Sequence, residues 1–271
     1  MNRFSFLDPK PKLITPQQKT FNLLVALCVH RGIDPATWDA MDLLGKCPNP
    51  RVIVRVKAGD ALIDRSRSIV ASRFLEQKDY DLLFFVDDDI VFNPIDLVKI
   101  AKVMKDKDLD IVGGAYVKKQ ETGTTFAIKS YDEETLVFGK EGGIQEVKMV
   151  STGFMCINRR VLQTMVDQLQ DELPLCHPGD LRFYPFFQPY PKKLEDGSSV
   201  YLSEDWAFCD RAERLGFKCW VDTTVKLGHA GRYVYNWDNL ISPPKRQIES
   251  FKYTDLTSSV NVEEISGSTA N

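Results

Sequence analysis

Apolar runs alternate with amphipathic stretches along the first 117 residues. FNLLVALCV (21–29) is apolar throughout, the pattern of a strand covered on both faces. RVIVRVKAG (51–59) alternates and is rich in valine, which predicts a second strand. DLLFFVD (81–87) and LDIVGGAYV (109–117) predict a third and a fourth. The intervening segments carry helix signals. DPATWDAMDLL (34–44) opens with an aspartate cap and proline in the first turn. DALIDRSRSIVASRFLEQK (60–78) places Leu62, Ile69, Val70, Phe74 and Leu75 at helical spacing. NPIDLVKIAKVMKDK (93–107) opens with asparagine and proline and is amphipathic.

This alternation predicts an α/β fold, with a mostly parallel, Rossmann-like sheet and helices on both faces. In such sheets ligands bind beyond the carboxyl ends of the strands. The second half changes character. Residues 124–157 read as short strands joined by glycine-containing turns, a smaller mixed-sheet half, and 158–170 as a helix. The proline- and aromatic-rich stretch 173–199 reads as a mobile lid or a substrate-facing wall. A serine-capped helix over 203–216, with acids in its first turn and Gly216 at its end, leads into a strand at 217–222. Residues 1–20 form an N-terminal extension, 21–120 and 121–240 two halves of one domain, and 241–271 a weakly ordered tail.

Composition narrows the function classes. The chain has 271 residues, of which 43% are hydrophobic and 27% charged, enough for a sizeable core. A net charge of −3 gives no basic footprint for nucleic acid. The six cysteines are scattered without a CxxC pair and read as reduced core residues. The polar N-terminus lacks a signal-peptide core, and no apolar run is long enough for a transmembrane segment. The expectation is a soluble, cytoplasmic protein.

One stretch demands chemistry. In LLFFVDDDIVF (82–92) a buried-strand pattern runs into Asp87, Asp88 and Asp89. Adjacent carboxylates repel, so they need full solvation or a cation among them. Three further features accompany them: Arg65 and Arg67 in DRSRS, Glu204 and Asp205 in SEDW, and His229 in KLGHAGRY. Carboxylates plus an imidazole suit Mn²⁺ or Mg²⁺. Such a cation neutralises a leaving diphosphate, arginine grips phosphate, and a separate carboxylate serves as general base. Singly, each feature has a plainer reading: a solvated arginine face, acids answering a helix dipole, Trp206 as packing. Their ordered co-occurrence favours a site.

In that order the motifs resemble those of GT-A-fold, nucleotide-sugar-dependent glycosyltransferases, the family-2-like group with phage and bacterial members. FFVDDDIVF matches the DxD motif and DRSRSIVASRFL the arginine-bearing helix before it. DIVGGAYVKK, VSTGFMCINRRVL, YLSEDWAFCDRAERLGFKCWVD and KLGHAG match the later strand, the glycine loop, the ED helix and the C-terminal histidine. The resemblance spans about residues 21–235. It implies a nucleotide-sugar-binding first half and an acceptor half. It implies Asp87, Asp89 and His229 as metal ligands for Mn²⁺ or Mg²⁺. Arg65, Arg67, Asp87, Asp88, Gly153 and Trp206 would face the nucleotide sugar, with Gly153 admitting donor or acceptor closely. Asp205 would be the general base of an inverting transfer, with Glu204 as the fallback. The donor implied is a nucleoside-diphosphate sugar, first of all a UDP-sugar; the acceptor is a glycan, a protein, a small molecule or a modified phage DNA base. Two other readings stand beside it: a sugar nucleotidyltransferase, for which ALCVHRGIDP is a poor triphosphate loop, and a non-catalytic nucleotide-sugar-binding module.

Overall fold

A computed structural model of the chain describes residues 21–30, 32–47, 50–119, 125–131, 135–231, 234–237 and 251–254. In chain order the strands of the first half are β1 (Asn22–Val29), β2 (Arg51–Ala58), β3 (Leu82–Asp87), β4 (Ile90–Val91) and β5 (Ile111–Gly114). The helices among them are α1 (Pro35–Gly45), α2 (Ile63–Glu76) and α3 (Pro94–Lys107). Then come β6 (Ile128–Lys129), β7 (Leu136–Gly139), β8 (Ile144–Val147), β9 (Met149–Val150), β10 (Phe154–Asn158) and α4 (Arg159–Gln168). The last are β11 (Tyr190–Lys193), β12 (Ser199–Leu202), α5 (Glu204–Arg214), β13 (Cys219–Asp222), β14 (Gly228–Ala230), β15 (Val234–Tyr235) and β16 (Phe251–Thr254). The sequence signals act locally. Asp34 accepts from the Ala36 N–H at 2.9 Å and Asn93 from Ile95 at 3.0 Å, each ahead of a proline in the first turn.

Seven strands form the main sheet in the order β2-β1-β3-β10-β5-β13-β8. Five of the seven strands run one way and two oppose them, so the sheet is largely parallel in direction but mixed. β10 lies antiparallel between β3 and β5, and β8 antiparallel to β13. The apolar run GFMCI reports burial but carries no information on direction, which is why the expectation missed this. β3 and β5 nevertheless run the same way, as do β1, β2 and β13. Five carboxyl ends therefore meet at one edge. β1 sorts its side chains by parity: Leu24, Ala26 and Cys28 pack with α2, α4 and α5, while Leu23, Val25 and Leu27 pack with α1 and α3.

The stretch 173–199 is no loose lid. Phe186 and Phe187 are fully buried, and Phe187 stacks on Phe208 at 4.6 Å. Ser72 and Ser68 of α2 accept the N–H groups of Tyr184 and Phe187 at 2.9 and 3.1 Å. Arg211 of α5 donates to the carbonyls of Phe186 and Gln188. The segment is a strap that ends in the β11–β12 hairpin. Within the expected weak tail, β16 pairs with β7. The N-terminal extension and residues 255–271 lie outside the described residues.

Candidate functional site

The acidic triplet is positioned by strand pairing on both sides. β3 carries the chain to Asp87 at the carboxyl edge of the sheet, beside Cys28 of β1. The chain turns through Asp88 and Asp89 and pairs β4 with β14, Ile90 opposite His229 and Val91 opposite Gly228. The Ala230 N–H closes the arrangement by donating to the Asp89 carbonyl at 2.8 Å. Gly228 allows this approach, because a Cβ there would lie 2.5 Å from Val234 and 3.1 Å from Val91. His229 Nε2 thereby stands 3.4 Å from Asp89 Oδ1.

The imidazole is held in one tautomer. Its Nδ1 lies 2.8 Å from the Val117 carbonyl, which only accepts, so Nδ1 carries a hydrogen. On a neutral ring, Nε2 then turns a lone pair toward the Asp89 carboxylate. Two acceptors face each other, an arrangement that a proton or a cation relieves. A ring fixed through one nitrogen while the other stays available is also how metal-ligating histidines are held. The second Asp89 oxygen accepts from the Lys119 ammonium. Burial alone would raise the Asp89 carboxyl, yet hydrogen bonds from His229 in its doubly protonated form and from Lys119 outweigh it and hold it below its ordinary range. Asp88 goes the other way: burial, then the charges of Asp89 and Asp87, push it up. A cavity of about 190 Å³ opens here, lined by Cys28, His30, Asp60, the three aspartates and His229.

The two arginines part company. Arg67 is 3% exposed and ties two elements together, donating to Asp87 Oδ1 at 2.6 Å and to Glu204 Oε1 at 2.8 Å. Arg65 turns to Asp60, at 2.9 and 2.7 Å, and makes no hydrogen bond to the triplet. The Arg65 hydrogen bond holds the Asp60 carboxyl down at about 2, against the rise that burial favours. Asp60 lines the cavity and was missed by sequence reasoning. The available signal was the one that flagged Asp87, an acid just past the carboxyl end of a predicted strand.

At the start of α5, neighbouring acids have different partners. Glu204 is held by Arg67; burial, then Asp205, push its carboxyl up against the pull of Arg67. Asp205 Oδ1 accepts from the Ser203 hydroxyl at 2.6 Å and the Trp206 N–H at 3.0 Å. The expected serine cap is thus absent: Ser203 occupies the N-cap position, but its hydroxyl is given to Asp205. Asp205 and Trp206 line a second cavity, of about 280 Å³, with Lys118, Ser151, Ser203 and Tyr201. Lys129 sits 5.8 Å from the Trp206 ring centroid.

Tyr116 meets residues that line each cavity, His229 of the first and Ser151 of the second. It is buried, meets His229 edge-on at 5.3 Å, and has its phenol pushed up by burial, then by the charges of Asp87 and Asp205. A Cβ on Gly153 would come 2.4 Å from the Tyr116 hydroxyl and 2.9 Å from Asp87 Oδ2. The space expected to admit donor or acceptor beside Gly153 is filled by Tyr116 and Asp87.

Among the described residues, no three or more His, Cys, Asp or Glu side chains converge as a ready metal cage. Of the expected trio of ligands, Asp89 and His229 stand 3.4 Å apart, while Asp87 Oδ1 accepts from Arg67 and Asp89 Oδ2 from Lys119. The carboxylate and imidazole are donor types that could hold a hard divalent cation. Among the described residues no helix is long and apolar enough to cross a membrane.

No family model matches the chain, and no curated protein sequence matches it. Among solved structures, it is similar to the crystal structure of A197 from STIV, at 21% identity and a TM-score of 0.49, covering 77% of this chain and 85% of that one. It is also similar to the crystal structure of GalNAc-T7 with UDP, GalNAc and Mn²⁺, at 14% identity and a TM-score of 0.42, covering 80% of this chain and 45% of that one. Likenesses at these scores assign no residue a role.

Proposed function

We propose that the chain is a metal-dependent glycosyltransferase of GT-A type, moving a sugar from a nucleoside-diphosphate sugar to an acceptor hydroxyl. One observation carries the reading: His229 Nε2 stands 3.4 Å from Asp89 Oδ1, with its ring fixed through Nδ1 on the Val117 carbonyl, beside a cavity at the shared carboxyl edge of five strands. Asp89 and His229 would hold Mn²⁺ or Mg²⁺, which when bound supplies positive charge for the diphosphate that leaves. Asp87 and Arg67 form the floor of the site and keep the acidic turn in register with α5. Asp88, raised by burial, faces the same cavity and suits a contact with the nucleotide. Asp205 is the better candidate for the base. Glu204 is in an ion pair with a buried guanidinium, whereas Asp205 lines the adjoining cavity beside Trp206, whose ring suits the apolar face of a sugar.

The test is release of nucleoside diphosphate. The full chain is incubated with UDP-, GDP- and dTDP-linked sugars, each with Mn²⁺ or with EDTA, alongside glycan, peptide and nucleic-acid acceptors. The expected result is release from one donor class, abolished by EDTA. Turnover undiminished in EDTA, or none from any donor with any acceptor, would overturn the reading.

A further inference from the structure

We propose that Lys119 is the resident counter-charge of Asp89, an ammonium that yields its place to a divalent cation only when a phosphate arrives to receive it. Metal and nucleotide would then enter this site together. The inference rests on the reading of Asp89 and His229 given above.

Three acidic side chains in sequence need compensation. Arg67 answers Asp87, and Lys119 answers Asp89. The ammonium is held there by the same short segment that fixes the imidazole. The Val117 carbonyl fixes the His229 ring, and Lys119 is two residues on. That segment is anchored in turn. The Ala127 N–H donates to the Tyr116 carbonyl at 2.8 Å, the Lys118 N–H donates to the Thr125 carbonyl at 2.9 Å, and Val117 bridges Phe126.

A divalent cation bound by Asp89 and His229 would stand beside that ammonium. In a partly buried setting the repulsion between them is far stronger than in water. The lysine stem is flexible and about one-third exposed, so the ammonium can leave without moving the backbone. Its natural destination is the nearest new anion, which in this reading is the diphosphate, for which lysine serves as a point-charge partner. Bare metal is therefore opposed by Lys119, and metal with diphosphate is favoured by it. Such coupling is reciprocal: each ligand tightens the other by one factor.

The test is calorimetric titration of Mn²⁺ into the full chain, alone and at saturating UDP, for the wild type, Lys119→Gln, Lys119→Arg and Asp89→Asn. For the wild type, UDP should tighten Mn²⁺ by roughly 5- to 150-fold, the usual range for coupled sites. Lys119→Gln should bind Mn²⁺ alone more tightly than the wild type and lose most of the gain from UDP. Lys119→Arg, which keeps the charge, should retain most of it. Lys119→Gln matching the wild type in both titrations, or weakening both alike, would overturn the proposal. A wild type whose Mn²⁺ affinity is unmoved by Asp89→Asn would overturn the cation reading itself, and the role of Lys119 with it.

Discussion

Two charged clusters flank α5, and they differ in how their charges are spent. At its C-terminal half, Asp210 is 1% exposed and receives the Tyr190 hydroxyl, the Lys192 ammonium and, at 3.2 Å, Arg214. Arg211 and Arg214 both reach Glu172 at 2.7 Å, and Arg211 also caps two carbonyls of the strap. This cluster borders the larger cavity, about 460 Å³. Its buried ions all have partners from the chain. At the other end the accounts are unbalanced. His229 Nε2 stands 3.4 Å from a carboxylate oxygen, Asp88 is pushed up by burial and then by its neighbours' charges, and among the described residues Arg67 Nε has no hydrogen-bond partner. Cavity size and charge count would choose the first cluster. Unspent valence chooses the second, and valence is what a ligand binds.

Variants in the two clusters should separate sharply. The largest effect is expected at Asp205. Asp205→Asn should slow single-turnover transfer by on the order of 10²- to 10⁴-fold while nucleotide affinity is kept, the signature of a lost general base. Glu204→Gln losing more rate than Asp205→Asn would swap the two roles. Next comes Arg67. Arg67→Met strands Asp87 and Glu204 beside one another, and breaking such a buried pair costs about 3–5 kcal/mol, read by urea unfolding. A loss below about 1 kcal/mol would remove Arg67 as the tie between strand and helix.

Asp210→Asn should cost less, about 1–2 kcal/mol, because Lys192 and Arg214 still reach solvent. It should leave metal and nucleotide binding unchanged; a loss of either would break the contrast between the clusters. The smallest effect is acid titration of Asp60. Its folded-state carboxyl lies at about 2, below the ordinary 3.8. A depressed carboxyl contributes stability that is present above pH 4 or so and is lost as pH falls toward 2. Arg65→Gln should flatten that part of the unfolding free energy against pH; an unchanged profile would mean that Arg65 does not hold it.

The parts of this arrangement legible in the sequence are those set by local pattern. The apolar runs marked β1, β2 and β3, and the Asp34 and Asn93 caps marked α1 and α3, each within a residue or two. The position of the acidic turn at a strand's carboxyl end followed from the same runs. Strand direction did not, because β10 reads the same either way along the sheet. Partner choice did not either. Arg67 meets Glu204 across 137 residues, and Lys119 meets Asp89 across 30, distances over which no spacing rule operates. Nor did 173–199 announce its anchoring. Its prolines and aromatics are common in loops, and only the serines of α2 and Arg211 of α5 show where the strap is fastened.

The most direct measurement is the dissociation constant of UDP in Mn²⁺ and in EDTA, for the wild type and for His229→Ala. The account predicts binding by the wild type that is at least about ten-fold tighter with Mn²⁺, a difference of roughly 1.4 kcal/mol, and a variant in which that difference collapses. Equal affinity of the wild type in the two conditions, or a metal-dependent gain that survives His229→Ala, would contradict a cation seat between Asp89 and His229.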